Sequence, residues 1–106
     1  MALVKKKKSL PINYTSDIAS KIQQRRLQLL VHSFLYYDRN VTIIQDFQWD
    51  KWARELVMLQ NDNPEIADKV IYAEAFKDFD GTSGFNLPYR DERIVKIAMW
   101  LMRGDN

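Results

Sequence analysis

Apolar residues recur along this chain at helical spacing, three or four apart, rather than alternating. Leu27, Leu30, Val31, Phe34 and Leu35 form one such stripe and predict a helix from about Asp17 to about Tyr37. Thr15 or Ser16 is placed to cap it, with Asp17 in its first turn. Asp38-Arg39-Asn40 interrupts the pattern, and Val41-Thr42-Ile43-Ile44 reads as a short β-branched connector. Asp46 is placed to cap a second helix over 46–61, whose stripe is Trp49, Trp52, Ala53, Leu56 and Leu59. Asn63-Pro64 is a restart signal, because Asn caps and Pro suits the first helical position. A third, shorter helix follows over Pro64 to Phe76, with Ile66, Val70 and Ile71 inward. Asp80-Gly81 and Ser83-Gly84 mark a loop. A fourth helix starts near Tyr89, turns Ile94, Ile97, Ala98, Leu101 and Met102 to one face, and ends at Gly104. The two matching stripes and the short connector predict an antiparallel pair in which Leu30, Phe34, Leu35, Trp52, Leu56 and Leu59 are mutually buried. The expected fold class is all-α, a small bundle of about four helices. Residues 1–14 are expected to be a flexible basic arm, and 15–104 a single helical domain.

Composition narrows this further. With 106 residues, 46% of them hydrophobic, the chain supports one small core. Three Gly and three Pro are too few for the many tight turns of an all-β fold. The absence of Cys excludes disulfides, thiolate zinc sites and Cys nucleophiles. The net charge of +2 belongs to one stretch: without Lys5, Lys6, Lys7 and Lys8, the 16 basic residues fall to 12 against 14 acidic ones. That run is suited to weak contact with nucleic acid phosphates. No apolar segment follows it as in a secretory signal, and no run nears the ~18 apolar residues of a membrane span. A cytoplasmic protein with no membrane association is the expectation.

Several short patterns carry no chemistry. His32 is the sole histidine, without a triad partner or a second imidazole for a metal, and is expected to be structural. Glu74, Asp78 and Asp80 lack the spacing of a calcium loop. Lys77-Asp-Phe-Asp-Gly81 places two residues between Lys and Asp-Gly, where a nucleotidyltransferase nucleophile motif places one; an Asp-Gly turn is expected. Arg103-Gly-Asp105 is a short chance match.

The informative text lies between residues 32 and 66. It reads His32-Ser-Phe-Leu-Tyr-Tyr-Asp, then Ile43-Ile-Gln-Asp-Phe-Gln-Trp-Asp, then Ala53-Arg-Glu-Leu-Val-Met-Leu, then Asn63-Pro-Glu-Ile. In blocks and spacing, without a gap, this resembles the N-terminal Ia domain of bacterial NAD-dependent DNA ligases, over residues of about 25–66. That domain reads roughly H-x-Y-x-Y-Y/H, a connector, I-x-D-x-x-Y-D, R-E-L-x-x-L, and H/F-P-E-L. The resemblance implies recognition of the nicotinamide mononucleotide half of NAD, with Tyr36 and Tyr37 at the positions that orient the nicotinamide. It places Asp46 and Asp50 at the carboxylate positions, and Trp49 where the family has Tyr. Trp49 keeps a ring but loses the phenolic hydroxyl, and with it any phosphate or ribose contact through that group. The chemistry is coherent: an aromatic face suits a flat cationic ring, and carboxylates accept from ribose hydroxyls and offset the pyridinium charge. Asp46 and Asp50, four apart, share one face of the second helix beside Trp49. The competing use of Tyr36, Tyr37 and Trp49 is to close the helix–helix core, of Asp46 to cap, and of Asp50 to oppose the helix dipole.

A chain of this length has no room for the adenylation domain, OB-fold, zinc finger or helix-hairpin-helix repeats of a ligase. The expectation is therefore a non-catalytic, stand-alone Ia-like module, with a phage or mobile-element origin, requiring no cofactor. It would bind nicotinamide mononucleotide or NAD weakly, or the nucleotidyltransferase domain of a DNA ligase or another replication or repair protein. The alternatives are a helical protein-interaction adaptor that kept the scaffold but lost the ligand, and a small DNA-associated protein using Lys5–Lys8.

Overall fold

One long helix organises the molecule. In the computed structural model, which describes residues 12–104, α1 (Ile12–Asp38) contacts each of the other three helices: α2 (Asp46–Asp62), the single turn α3 (Pro64–Ala67), and α4 (Glu92–Gly104). No strand occurs among the described residues, so the fold is all-α, as the hydrophobic spacing predicts. Helices α2 and α4 each lie against α1 and not against one another. The core is accordingly built along α1, from Ile18, Ile22, Leu29, Leu30, Val31, Phe34 and Leu35, with Ala53 and Leu56 of α2 and Ile94 and Ala98 of α4. Arg26 meets Gln60 and, further along, His32 meets Trp52; a rising number on α1 against a falling one on α2 defines an antiparallel pair.

The pair differs from expectation in its edges. Helix α1 already runs at Ile12, so Thr15 and Ser16 lie inside it and do not cap it. Residues 12–14 are helical rather than part of an arm, and Lys5–Lys8 lie outside the described residues. Leu30, Phe34, Leu35 and Leu56 are buried, whereas Trp52 and Leu59 are half-buried at the margin of the stripe. Residue 45, Gln, is the N-cap of α2 without a side-chain cap hydrogen bond, and Asp46 is the first helical residue rather than the cap. There its carboxylate faces the positive end of the helix dipole.

The third helix is the main correction: it ends at Ala67, not Phe76. A continuing helix would offer the carbonyls of Ala67, Val70 and Ile71 to amides four residues on. Here the Arg26 guanidinium donates to all three, at 3.1, 3.0 and 3.0 Å. The chain is drawn around that cation in successive turns, and Tyr72 adopts a left-handed conformation with φ of 70°. Arg26 is 1% exposed. It also donates through Nε and Nη2 to Gln60 Oε1, at 3.0 and 2.8 Å, and Gln60 Nε2 donates to the Phe76 carbonyl at 3.1 Å. Burial draws the guanidinium pKa down to about 10, so the group is still charged at neutral pH. Its five donated bonds are what make a buried cation tolerable.

The fourth helix starts at Glu92 rather than Tyr89. Tyr89 is instead buried in the preceding turn, stacked on Tyr37 with centroids 5.4 Å apart. Beside it Arg90 grips Asp38 in two bonds of 2.7 Å, which ties the segment before α4 to the end of α1. The Arg90 partner lowers the Asp38 pKa, and Asp38 raises that of Arg90. No helix of the described residues is long and apolar enough to cross a membrane.

Candidate functional site

The turn between α1 and α2 shapes an open depression. Asn40 takes φ of 56°, a conformation Asn tolerates better than most residues, and both Arg39 N and Val41 N donate to the Leu35 carbonyl. The chain then runs without regular structure from Val41 through a bend at Ile44 to Gln45 and enters α2. Between this connector, the last two turns of α1, the first turns of α2 and the loop at 82–84 lies a groove of about 270 Å³. That is small beside the ~300–1,000 Å³ of drug-sized sites, and of a size for part of a nucleotide.

All five residues singled out by the sequence line it: Tyr36, Tyr37, Asp46, Trp49 and Asp50. Tyr36 and Tyr37 do not close the helix–helix core. Tyr36 is 54% exposed and Tyr37 39%, their rings meeting edge to face at 5.0 Å. Tyr37 is held from behind: one face stacks on Tyr89, Phe85 meets its edge at 5.3 Å, and its hydroxyl lies 3.5 Å from Ser83 Oγ. Trp49 is half-buried and rests on Phe79 at 6.3 Å. Asp46 and Asp50 are exposed, and neither is in an ion pair among the described residues.

The lining also includes His32, which the sequence reading took as structural, and Ser33, Thr82, Ser83 and Gly84, which it did not name as site residues. His32 sits one turn before Tyr36 on α1, tilted against Trp52 at 5.7 Å, and burial lowers its pKa. Burial thus favours its neutral form. Ser33 is 2% exposed, and its hydroxyl has no hydrogen-bond partner within the protein. Gly84 passes directly above it: a β-carbon at position 84 would stand 2.1 Å from Ser33 Oγ and 3.1 Å from Trp49 Cζ2. Only a residue without a side chain lets the loop approach so closely. The loop itself is fixed by Asp80, whose Oδ1 accepts from Thr82 N at 3.0 Å and Thr82 Oγ1 at 2.7 Å. The same bonds lower the Asp80 pKa. Ser83 Oγ accepts from Phe85 N at 3.1 Å. The signal for this loop was the Gly–Gly spacing, visible in the sequence as a turn, but nothing in it told which helix the turn would cover.

Chemically, the groove offers exposed aromatic surface, two carboxylates and several hydroxyls. Its lining contains no Lys or Arg. An aromatic cation with hydroxyl groups meets each of those features. No group of His, Asp and Glu able to hold a metal ion occurs among the described residues.

A family model described as DNA ligase-like, N-terminal NAD+-binding domain matches residues 15–69, a span containing Tyr36, Tyr37, Asp46, Trp49 and Asp50 but not the loop at 82–84. Among curated proteins, the chain is 38% identical over 52 residues to a DNA ligase of Rhodopirellula baltica and 40% identical over 52 residues to a DNA ligase of Bacteroides fragilis. It is 36% identical over 53 residues to a DNA ligase of Acholeplasma laidlawii. Each alignment covers 49–50% of this chain and only 7–8% of the relative. No solved structure matches the chain.

Proposed function

The chain belongs to the family of DNA ligase-like, N-terminal NAD+-binding domains, and from that premise we propose that it is a non-catalytic recognition module whose groove takes the nicotinamide end of NAD+. The observation that carries this reading is the convergence of Tyr36, Tyr37, Asp46, Trp49 and Asp50 on one open groove. Tyr36 presents a free aromatic face to a pyridinium ring. Asp46 and Asp50 accept from ribose hydroxyls and balance the ring's positive charge. Trp49 supplies a wall but no hydroxyl. The curated relatives are matched over only 7–8% of their length, and joining DNA is not assigned to this chain.

Affinity is expected to be weak. The groove is open, so a mononucleotide leaves much of its surface in water, and buried contact drives small-molecule affinity. A dissociation constant near millimolar, about −4 kcal/mol, is expected. Calorimetric titration with nicotinamide mononucleotide and with NAD tests the reading. Tyr36→Ala and Asp50→Ala should each weaken binding several-fold, and absence of binding by the unaltered chain at millimolar ligand would end it.

A second reading rests on the rim. Tyr36, Ile43, Phe47 and Phe85 are exposed apolar side chains near or along the groove, more than a small ligand uses. They suit a protein surface closing over the site, such as a ligase nucleotidyltransferase domain. Retention of such a domain by the immobilised chain, lost in Phe47→Ser, is the test.

A further inference from the structure

Helix α4 lies beyond the span matched by the family model, residues 15–69, and its two faces are unalike. Ile94 and Ala98 are buried in the core along α1, with Ile97, Leu101 and Met102 packed at its margin. The opposite face carries Arg93, Lys96, Trp100 and Arg103, all exposed. Their successive spacings alternate between one turn's shorter and longer intervals, which keeps the four side chains on one stripe. The Trp100 indole is 64% exposed, with Lys96 a turn before it and Arg103 a turn after, about 10 Å apart along the axis. A further cation comes from the end of α1: Arg39 is exposed and directs Nη2 to Met99 Sδ at 3.3 Å, beside the stripe. Acidic groups stand at one end. Asp91 accepts from the Tyr72 hydroxyl. Glu92 lies 3.4 Å from Lys96, in a pair whose partners are both well exposed, a kind that contributes little. Asp105 follows the stripe outside the described residues. The centre of the face is a flat aromatic between cations.

We propose that this stripe binds single-stranded nucleic acid, with its cations on the phosphates and Trp100 stacked on an unpaired base. Charge complementarity supplies the first half of the argument, since Lys and Arg meet a phosphate backbone without regard to sequence. The indole supplies the second: it is a π surface on which any unpaired base stacks. In a duplex the bases already stack on each other, and the indole gains nothing along its length. A membrane surface fits less well. A helix lying in a bilayer interface turns its apolar face to the lipid, whereas the apolar face of α4 is buried along α1. No residue of α4 lines the groove of Tyr36 and Asp50, so the stripe is a separate surface and stands whether or not that groove takes nicotinamide.

The test is fluorescence anisotropy of a labelled oligothymidylate of about twelve nucleotides, titrated with the full chain at about 50, 100 and 200 mM salt. Trp100→Ala should weaken binding at least about fivefold with little change in the salt dependence. Arg93→Gln/Lys96→Gln/Arg103→Gln should remove most of the affinity and flatten the logarithmic salt slope by about 2, at about 0.7 per phosphate contact. All four side chains are exposed, so the variants keep the fold, which circular dichroism verifies. A duplex of the same length should be bound without dependence on Trp100. Replacing Lys5, Lys6, Lys7 and Lys8 by Gln should leave the effect of Trp100→Ala on the single strand in place. The assignment is overturned by any of four results: no binding of the oligonucleotide at the lowest salt, a Trp100→Ala variant that binds it as well as the parent, affinity that vanishes with Lys5–Lys8 and ignores the helix variants, or a chain that leaves the oligonucleotide free and sediments with vesicles of anionic lipid.

Discussion

Adding one methyl group at Gly84 is the sharpest probe of how the 82–84 loop is seated. The new β-carbon would stand 2.1 Å from Ser33 Oγ, far inside van der Waals contact, and 3.1 Å from both Ser33 Cβ and Trp49 Cζ2. Ser33 sits on buried helix surface and Trp49 on Phe79, so neither moves freely. Overpacking of this kind costs about 1–3 kcal/mol, offset by about 0.4–1 kcal/mol because Ala restricts the unfolded chain more than Gly. Gly84→Ala should thus destabilise, by up to about 2.6 kcal/mol. Ser33→Ala, which removes a buried hydroxyl without a partner, should be neutral or slightly stabilising. The double variant removes the 2.1 Å contact and leaves only the two 3.1 Å ones, which shifts of a few tenths of an ångström relieve. It should recover at least about 0.5 kcal/mol beyond additivity. Urea denaturation of the four proteins measures this. Strict additivity, or a Gly84→Ala variant as stable as the parent, would refute the packing of this loop over α1.

Three further outcomes follow from the same structure. Arg26→Met strands the carbonyls of Ala67, Val70 and Ile71 and the Gln60 side chain in the interior, at about 1–3 kcal/mol for each unsatisfied group; chemical denaturation should show a loss of at least about 3 kcal/mol, with amide exchange fastest over 67–76. Leu56→Ala, at a fully buried position, should cost about 2–5 kcal/mol in the same assay. His32 has its pKa lowered by burial, so the unfolded chain binds this proton more readily than the folded one. Its contribution is intact above the unfolded value of about 6.5 and is lost as pH falls below it; replacing it by Gln should flatten the stability profile between about pH 5 and 7, and an unchanged slope there would contradict the assignment.

Much of this architecture is readable from the spacing of apolar residues. The stripes on α1 and α2 identified the antiparallel pair because burial of one face per helix is a local, periodic signal. The stop at Ala67 was not readable in the same way. Pro64 to Phe76 has a good helix start and inward apolar residues, and what ends it is a side chain about forty residues earlier, Arg26, that competes for its carbonyls. Likewise the five groove residues were named from the resemblance to the ligase Ia domain, and they line one groove because they lie on two consecutive elements joined by a short turn. Ser83 and Gly84 reach the same groove through tertiary packing alone. The misassigned cap at Asp46 is an error of one residue, the usual scale at helix ends, yet it changes that carboxylate from a capping group into one free to face a ligand.

The central claim is that Tyr36, Tyr37, Asp46, Trp49 and Asp50 form one ligand-binding surface, and it is tested most directly by NMR titration of the isotopically labelled chain with nicotinamide riboside and nicotinamide mononucleotide. Saturable shifts at the Trp49 indole and at the amides of residues 36, 37, 46, 49 and 50, with smaller ones at 82–84 and none on the α4 surface around Trp100, are the expected result. Millimolar ligand that leaves all five residues unmoved, or that shifts α4 instead, would contradict it.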